Sequence, residues 1–339
     1  MKRPLLAGVL ALCAFGGVAA ADAPKPPPKP APQPEAPAKP AKPVRERSEL
    51  ELRPKKAPFK KVVIENPLGD VRVEGYNGSS ILIETQKTAP TEDALDRMRV
   101  SLVPNFDDGT VRMKTTVDGG KEAKSVGRNQ VRIDLLVKAP RDAHVEAVST
   151  SGTLEVWNMD GGGDLDTASG NITVYNVAGA LSTSSVSGAT SLTQVYGSID
   201  AETVSSDLDL DSINGDRLVA TASSGRIAGR RVRSRHIELT TTDGRITLEA
   251  EVALTGRVIV ASMKGNVDVR VRKHGVLLVR ARGARVEFDQ AAQQQQYATP
   301  TTRPDGFVEA QFGTLAGNSP SALVELRSQL GMVTFGMIR

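Results

Sequence analysis

The sequence predicts an all-β chain centred on a single-chain β-solenoid with coils of about 18 residues, a β-rich cap before it and a short β cap after it. Three observations predict this. Glycine stands at positions 152, 161, 170, 179, 188, 197 and 215, each nine residues from the next place in the series, with Ser206 in the one remaining place. The seventh residue after each anchor is apolar in every unit: Met159, Ala168, Val177, Val186, Val195, Val204, Ile213 and Ala222. Within the units apolar and polar residues alternate, as in Leu154/Val156, Ile172/Val174, Ile199/Ala201 and Leu208/Leu210, separated by Glu155, Thr173, Asp200 and Asp209.

Alternation of period two puts one residue set on each face of a strand. Glycine gives the chain backbone freedom at the corners. A nine-residue unit is a short strand and a turn, too small to bury anything alone. Two units make one coil, and stacked coils bury a continuous row of Val, Ile and Leu. The stronger likeness between units two apart agrees, since VWNM from Val156 recurs as VYNV from Val174. Beyond Gly215 the strict spacing slips, but Gly225, Gly244, Gly265 and Gly283 carry the theme on, so the solenoid is expected over residues 145–289.

The remaining regions are taken in chain order. Residues 1–21 read as a secretory leader, with Lys2 and Arg3 ahead of an apolar stretch and cleavage near Ala20 or Ala21. If retained, the uncharged run from Pro4 to Ala21 is about long enough to anchor the chain in a bilayer. Residues 22–57 read as a disordered Pro/Lys-rich linker, because ten of the twenty residues from Pro24 to Pro43 are proline and lack an N–H for helix or sheet. That linker also carries much of the basic charge of a chain whose formal net charge is only +4. Residues 58–144 alternate like strands in VVIENPLGDVRVEGY, SILIET, TVRMKTTV and QVRIDLLV, with a short helix expected from Thr91 to Val100. Residues 290–339 begin with the run Gln293 to Gln296 and a Pro/Thr loop, and end in VEAQF and MVTF, which are expected to cap the far end.

An opening of the form V-x-x-x-N-x-x-G-x-V-x-V (Val62, Asn66, Gly69, Val71, Val73), a strand ending in Ala139-Pro140, and serial T-x-S-G turns such as Thr150-Ser151-Gly152 and Thr167-Ala168-Ser169-Gly170 succeed one another here. In this order, over roughly residues 58–289, the chain resembles the bacterial putative-adhesin domain family, a domain of unknown function with Gly-rich β-solenoid repeats. The resemblance implies an exported protein with an adhesive role and brings no catalytic residue.

Composition narrows the chemistry. One cysteine, Cys13 in the leader, and three scattered histidines, His144, His236 and His274, do not make a zinc site, and no cofactor is expected. Calcium-binding β-rolls need a repeated G-G-x-G-x-D turn, which only Gly161 to Asp166 approaches. Asp207, Asp209 and Asp211 imitate an EF-hand loop but meet Ser212 where glycine belongs and Leu218 where glutamate belongs. No nucleophile-elbow, zincin, P-loop or dinucleotide-binding motif is present. Nucleic-acid binding is not expected, since the basic residues lack interleaved aromatics. The sequence therefore points to a non-catalytic exported protein of the periplasm, outer envelope or cell surface. It would act as an adhesin or scaffold for a polysaccharide or another envelope protein, with no transmembrane segment once the leader is removed. The alternative is a polysaccharide-active β-helix enzyme, a glycoside hydrolase or lyase, using Asp164/Asp166 or Asp209/Asp211 as its carboxylate pair.

Two surface features are candidates for binding. Trp157 and Tyr175, with Asn158 and Asn176 beside them, fall at the same outward position of successive coils. They form either a glycan-stacking platform or packing beneath a loop. Arg226, Arg230, Arg231, Arg233 and Arg235 make a basic patch. It opens a half with fifteen Lys/Arg and five acids (217–285), after a half with eleven carboxylates and no Lys or Arg (145–216). Such polarity allows contact with an anionic polymer or self-association between opposite halves, or it is simply solvated.

Overall fold

The computed structural model describes residues 43–118, 131–296, 299–313 and 321–338. The expected leader, its cleavage site and most of the proline tether lie outside the described residues. The chain divides into two units, Met1–Ala41 and Lys42–Arg339, and the described residues belong to the second. That unit is all-β: twenty-five strands and two short helices among the described residues, with every strand joined into one hydrogen-bonded sheet network. No helix among the described residues is long and apolar enough to cross a membrane.

The central strands are β8 (His144–Ser149), β9 (Leu154–Trp157), β10 (Gly163–Thr167), β11 (Ile172–Ala178), β12 (Leu181–Ser185), β13 (Thr190–Tyr196) and β14 (Ile199–Thr203). They continue as β15 (Leu208–Ala222), β16 (Ile227–Thr241), β17 (Ile246–Val252), β18 (Arg257–Ser262) and β19 (Val267–Lys273). From β8 to β13 each strand pairs in parallel with the strand two places later, so two ladders run side by side. In one, Val145, Gly163, Leu181, Ile199 and Leu218 are successive register partners. In the other they are Leu154, Ile172, Thr190, Leu208, Ile227, Ile246 and Val267. The step is constant from Leu154 to Leu208, then lengthens at Leu208↔Ile227 and again at Ile246↔Val267, which is the slippage seen in the sequence beyond Gly215. β15 and β16 each have one end in either ladder and so join the two. Ile172, Val174, Leu192, Leu208, Leu210, Leu218 and Ile237 are buried while their immediate neighbours along the strand face out, as alternation requires.

The nine-residue units prove to be two unlike halves. Met159, Val177, Val195 and Ile213 are fully buried, but Val186 and Val204, at the same place in alternate units, are about half exposed in turns. At Gly152, Gly170 and Gly188 the backbone is not left-handed; instead, a β-carbon there would sit 1.7–1.8 Å from the carbonyl oxygen of the glycine one ladder step earlier. Glycine is needed for close approach rather than for conformational freedom. The T-x-S-G turn explains the rest. The Gly152, Gly170 and Gly188 amides donate to Ser149 Oγ, Thr167 Oγ1 and Ser185 Oγ at 3.0, 3.0 and 2.9 Å. The second serine bonds the turn one step earlier: Ser169 Oγ to Thr150 O at 3.0 Å, Ser187 Oγ to Ala168 O at 3.2 Å and Ser205 Oγ to Val186 O at 2.9 Å.

The other corner is built by a column of non-glycine residues with positive φ: Asn158 (56°), Asn176 (54°), Gln194 (54°), Ser212 (57°) and Arg231 (52°). Asparagine tolerates this region better than most residues.

Both ends depart from chain order. β2 (Lys61–Asn66) and β3 (Val71–Tyr76) pair with β8 and β9, while β6 (Thr110–Val117) and β7 (Arg132–Pro140) lie outside them. β4 (Ile81–Ala89) closes one ladder antiparallel to β7, and β1 (Val44–Leu52) lies antiparallel on β4. β1 lies inside the expected linker, because Arg47–Glu84 and Lys87–Glu46 pairs tie an alternating charged segment to β4. The helix expected from Thr91 to Val100 is only α1 (Glu92–Asp96), capped by Thr91; from Met98 the chain alternates and pairs as β5 (Met98–Asn105) against β6. At the far end come β20 (Val276–Arg282), β21 (Arg285–Phe288), α2 (Gln290–Gln295), β22 (Thr301–Thr302) and β23 (Val308–Phe312). The last strands are β24 (Ser321–Ser328) and β25 (Met332–Met337). The glutamine run lies in α2 as far as Gln295, and α2 is capped by Asp289. VEAQF (β23) does border the far end, antiparallel to β20. MVTF does not: β24 lies between β18 and β20, and β25 between β19 and β21. Phe288, Phe312 and Phe335 pack there with ring centroids 5.3–6.3 Å apart.

Candidate functional site

The structure brings the four residues of the aromatic candidate together. Trp157 and Tyr175 are register partners with centroids 5.3 Å apart and planes tilted by 43°. β9 lies between β3 and β11, and from the β3 side the Arg72 guanidinium covers the Trp157 ring at 4.8 Å. Trp157 is therefore held between Arg72 and Tyr175, and its Nε1 is buried without a hydrogen-bond partner among the described residues. Asn158 and Asn176 turn the corner, and Asn176 Nδ2 donates to Asn158 Oδ1 at 2.8 Å. Of the four, Tyr175 offers the exposed ring surface.

The arginines are less uniform than their spacing suggests. Arg226 reaches Asp209 at 3.3 Å and Asp207 at 3.6 Å, Arg231 pairs with Asp211 and donates to Ser212 Oγ at 2.9 Å, and Arg233 pairs with Glu251 at 2.7 Å. Arg230 and Arg235 are exposed. Asp207, Asp209 and Asp211 of the acidic stretch thus pair with Arg226 and Arg231 of the basic stretch, one ladder step from them.

Arg233 and Arg235 lie instead in a groove along the left-handed corner. Its wall is one column of the ladder: Ala178, Tyr196, Asn214 and Arg233 are successive partners, Glu251 meets Arg233 through the ion pair, and Arg272 is the partner of Glu251. The groove opens because β16 carries an extra residue there. Gly229 pairs with Leu248 and Val232 with Ala250, so Arg230 and Arg231 stand opposite Glu249 alone, a β-bulge. One hollow of 350 Å³ is lined by Tyr196, Asn214, Arg231, Arg233, Glu251 and Arg272. A second, of 270 Å³, shares Arg233 and Glu251 and adds Asp216, Arg235 and His274. Glu251 is the hub, with His274 Nε2 at 2.6 Å and Arg233 Nε at 2.7 Å. The His274 hydrogen bond, with Arg233 beside it, holds the Glu251 carboxyl below its ordinary pKa. Tyr196 is about half exposed at the rim.

Sequence reasoning reached Arg231, Arg233 and Arg235 but missed Tyr196, Glu251, Arg272 and His274. Part of the signal was present: from Tyr196 the ladder leads through Asn214, Arg233 and Glu251 to Arg272, but by unequal steps that no constant period reproduces.

The carboxylate pairs considered for hydrolysis lie on outer strand faces. Asp209 and Asp211 are tied to Arg226 and Arg231, and Asp164 accepts from His144 at 3.0 Å. Burial, then the Asp164 and Glu146 charges, push the Asp166 carboxyl above its ordinary pKa. Among the described residues no three His, Cys, Asp or Glu side chains gather as a metal site.

No family model matches the chain, and no curated protein matches it. Solved structures similar to this chain include a putative adhesin from Bacteroides fragilis, with 13% identity over 86% of this chain and 97% of that one and a TM-score of 0.38. A putative lipid binding protein from Parabacteroides distasonis has 10% identity over 86% of this chain and 96% of that one, TM-score 0.39. A putative cell adhesion protein from Clostridium sporogenes has 9% identity over 87% of this chain and the whole of that one, TM-score 0.27. At these distances the chemistry of the groove rests on its own residues.

Proposed function

We propose that the chain is an exported, non-catalytic β-solenoid, its two ladders the faces of one coil stack, and that it binds a glycan chain of the envelope or cell surface in the corner groove. The leader and proline tether of the sequence support export and display. The observation that carries the binding role is the groove column itself. It sets an exposed tyrosine ring beside Asn214, Arg233, Glu251 and Arg272, planar polar groups that can bond neighbouring hydroxyls while the ring stacks on a sugar face.

The groove's charges are mixed, with Arg231, Arg233, Arg235 and Arg272 set against Asp216, Glu249 and Glu251. This favours a polyhydroxylated chain over a densely anionic one, and it replaces the steering by net positive charge that the sequence suggested. Affinity should fall only slightly between low salt and physiological salt, unlike that of an unpaired basic patch. The test is binding of the purified protein to immobilised neutral and uronic-acid-containing bacterial polysaccharides. Tyr196→Ala and Arg233→Ala should each weaken capture about tenfold, roughly the loss of one well-placed contact, with melting temperature little changed. Capture that survives both changes, or that collapses with salt, would overturn the groove as the site.

A further inference from the structure

The segment Ser321–Met337 occupies a place that chain order does not give it. The chain builds β18 and β19, then β20 and β21, and only later β24 and β25, which then separate the two earlier pairs. β24 is in register with β18 from Arg257↔Leu323 to Ser262↔Ser328 and with β20 from Val276↔Ser321 to Arg282↔Arg327. β25 is bonded to β19 and β21 in the same way.

The late segment is a complete repeat unit. Ser328 Oγ accepts from the Gly331 amide at 2.9 Å and donates to Gly265 O at 2.8 Å, the same turn chemistry as in the central ladders. Gln329 and Leu330 amides bond Ser262 O and Met263 O at 3.2 and 3.0 Å, and Met332 N bonds Asn266 Oδ1 at 3.0 Å. Val324, Leu326, Val333 and Phe335 are fully buried. Without this unit, β18 and β20 would face each other across a slot one strand wide, about 9.5 Å between their axes, with unpaired backbone edges on both sides.

Every contact that fills the slot belongs to residues 321–338 and to the slot walls, so the slot cannot distinguish its own segment from that of a second copy. Unpaired edges of this kind are templates for strand addition, and exchange of an identical element preserves each contact. We propose that two copies of this chain exchange their 321–338 segments, each filling the other's slot, to give a dimer with the same strand stacking as the monomer. The exchanged pair competes with the closed monomer through effective concentration, so the dimer share rises with protein concentration during folding.

The test uses full-length chains in a Cys13→Ser background. Ala261 and Arg327 are register partners on neighbouring strands with outward side chains. Ala261→Cys and Arg327→Cys variants with different tags are co-expressed in one cell and treated with a short thiol cross-linker. The expected product is a soluble covalent dimer of twice the chain mass carrying one chain of each kind, more abundant at higher expression. Chains mixed after separate purification should give none. A double variant, cross-linking within its own chain, checks that the two sites meet. Co-expressed chains that yield no mixed dimer while the double variant links fully would overturn the exchange. A double variant that fails to link would remove the slot itself.

Discussion

Replacing Gly188 with alanine probes the closest approach between successive turns. The new β-carbon would lie 1.7 Å from Gly170 O and 2.3 Å from Gly170 C, both backbone atoms of the preceding turn in the ladder. No rotamer relieves that overlap, so the turn must retreat by more than an ångström. The retreat breaks or stretches Gly188 N to Ser185 Oγ (2.9 Å), Ser187 Oγ to Ala168 O (3.2 Å) and Ala189 N to Asn171 Oδ1 (3.0 Å). At about 1 kcal/mol net each, these bonds amount to about 3 kcal/mol. Alanine also narrows the unfolded ensemble, which returns about 0.5–1 kcal/mol. The net loss of about 2 kcal/mol corresponds to a fall of about 3–4 °C in melting temperature for a unit as long as Lys42–Arg339, at about 2.1 cal/mol/K of unfolding entropy per residue. Ser206 is the internal control, since the chain itself carries a β-carbon at that place in the column. Ser206→Ala loses the 3.3 Å contact with Thr203 Oγ1 and should cost less than about 1 kcal/mol. Circular dichroism melts of both variants decide the matter. Equal melting temperatures for Gly188→Ala and Ser206→Ala would refute the stacked-turn explanation of the glycine period.

Electrostatics and packing give two further outcomes. Asp166 has a folded-state pKa above its unfolded value, through burial and the Asp164 and Glu146 charges. Its favourable contribution is therefore present below the unfolded pKa and lost as pH rises through the folded one. Asp166→Asn should accordingly melt higher than the parent at pH 7 and level with it near pH 3, and a gain at pH 3 would contradict this. Phe335→Ala removes a fully buried ring packed on Phe288 and Phe312 and should cost about 3–5 kcal/mol in denaturant unfolding. A cost below about 1 kcal/mol would mean that β25 is not an interior strand, because a buried ring cannot be lost so cheaply.

Much of the ladder was legible in the sequence, because its causes are local. Alternation fixes which residues point inward, and the likeness of VWNM to VYNV sets the two-unit step that becomes the register Trp157↔Tyr175. The order of strands at the two ends was not legible. Each repeat presents the same kind of edge, so nothing in Ser328–Gly331 states that it stacks on Ser262–Gly265 instead of following Gly283. The strand β1 was hidden because its residues are charged on both faces, and its order comes from cross-strand ion pairs rather than burial. The groove was half legible. Arg231, Arg233 and Arg235 cluster in sequence, but their partners lie a ladder step away. The bulge that opens the groove comes from two unequal steps side by side, Gly229↔Leu248 and Val232↔Ala250, and no single position announces it.

The out-of-order repeat is the feature on which the far end of the fold depends, and amide hydrogen exchange reads it directly. If β24 and β25 are interior strands bonded on both sides, the amides of residues 322–336 exchange as slowly as those of β18 and β19 and more slowly than those of β23 at the border. Exchange of 322–336 within seconds, with β20 and β21 still protected, would show that those strands stack on β18 and β19 without it, and the inserted repeat would be wrong.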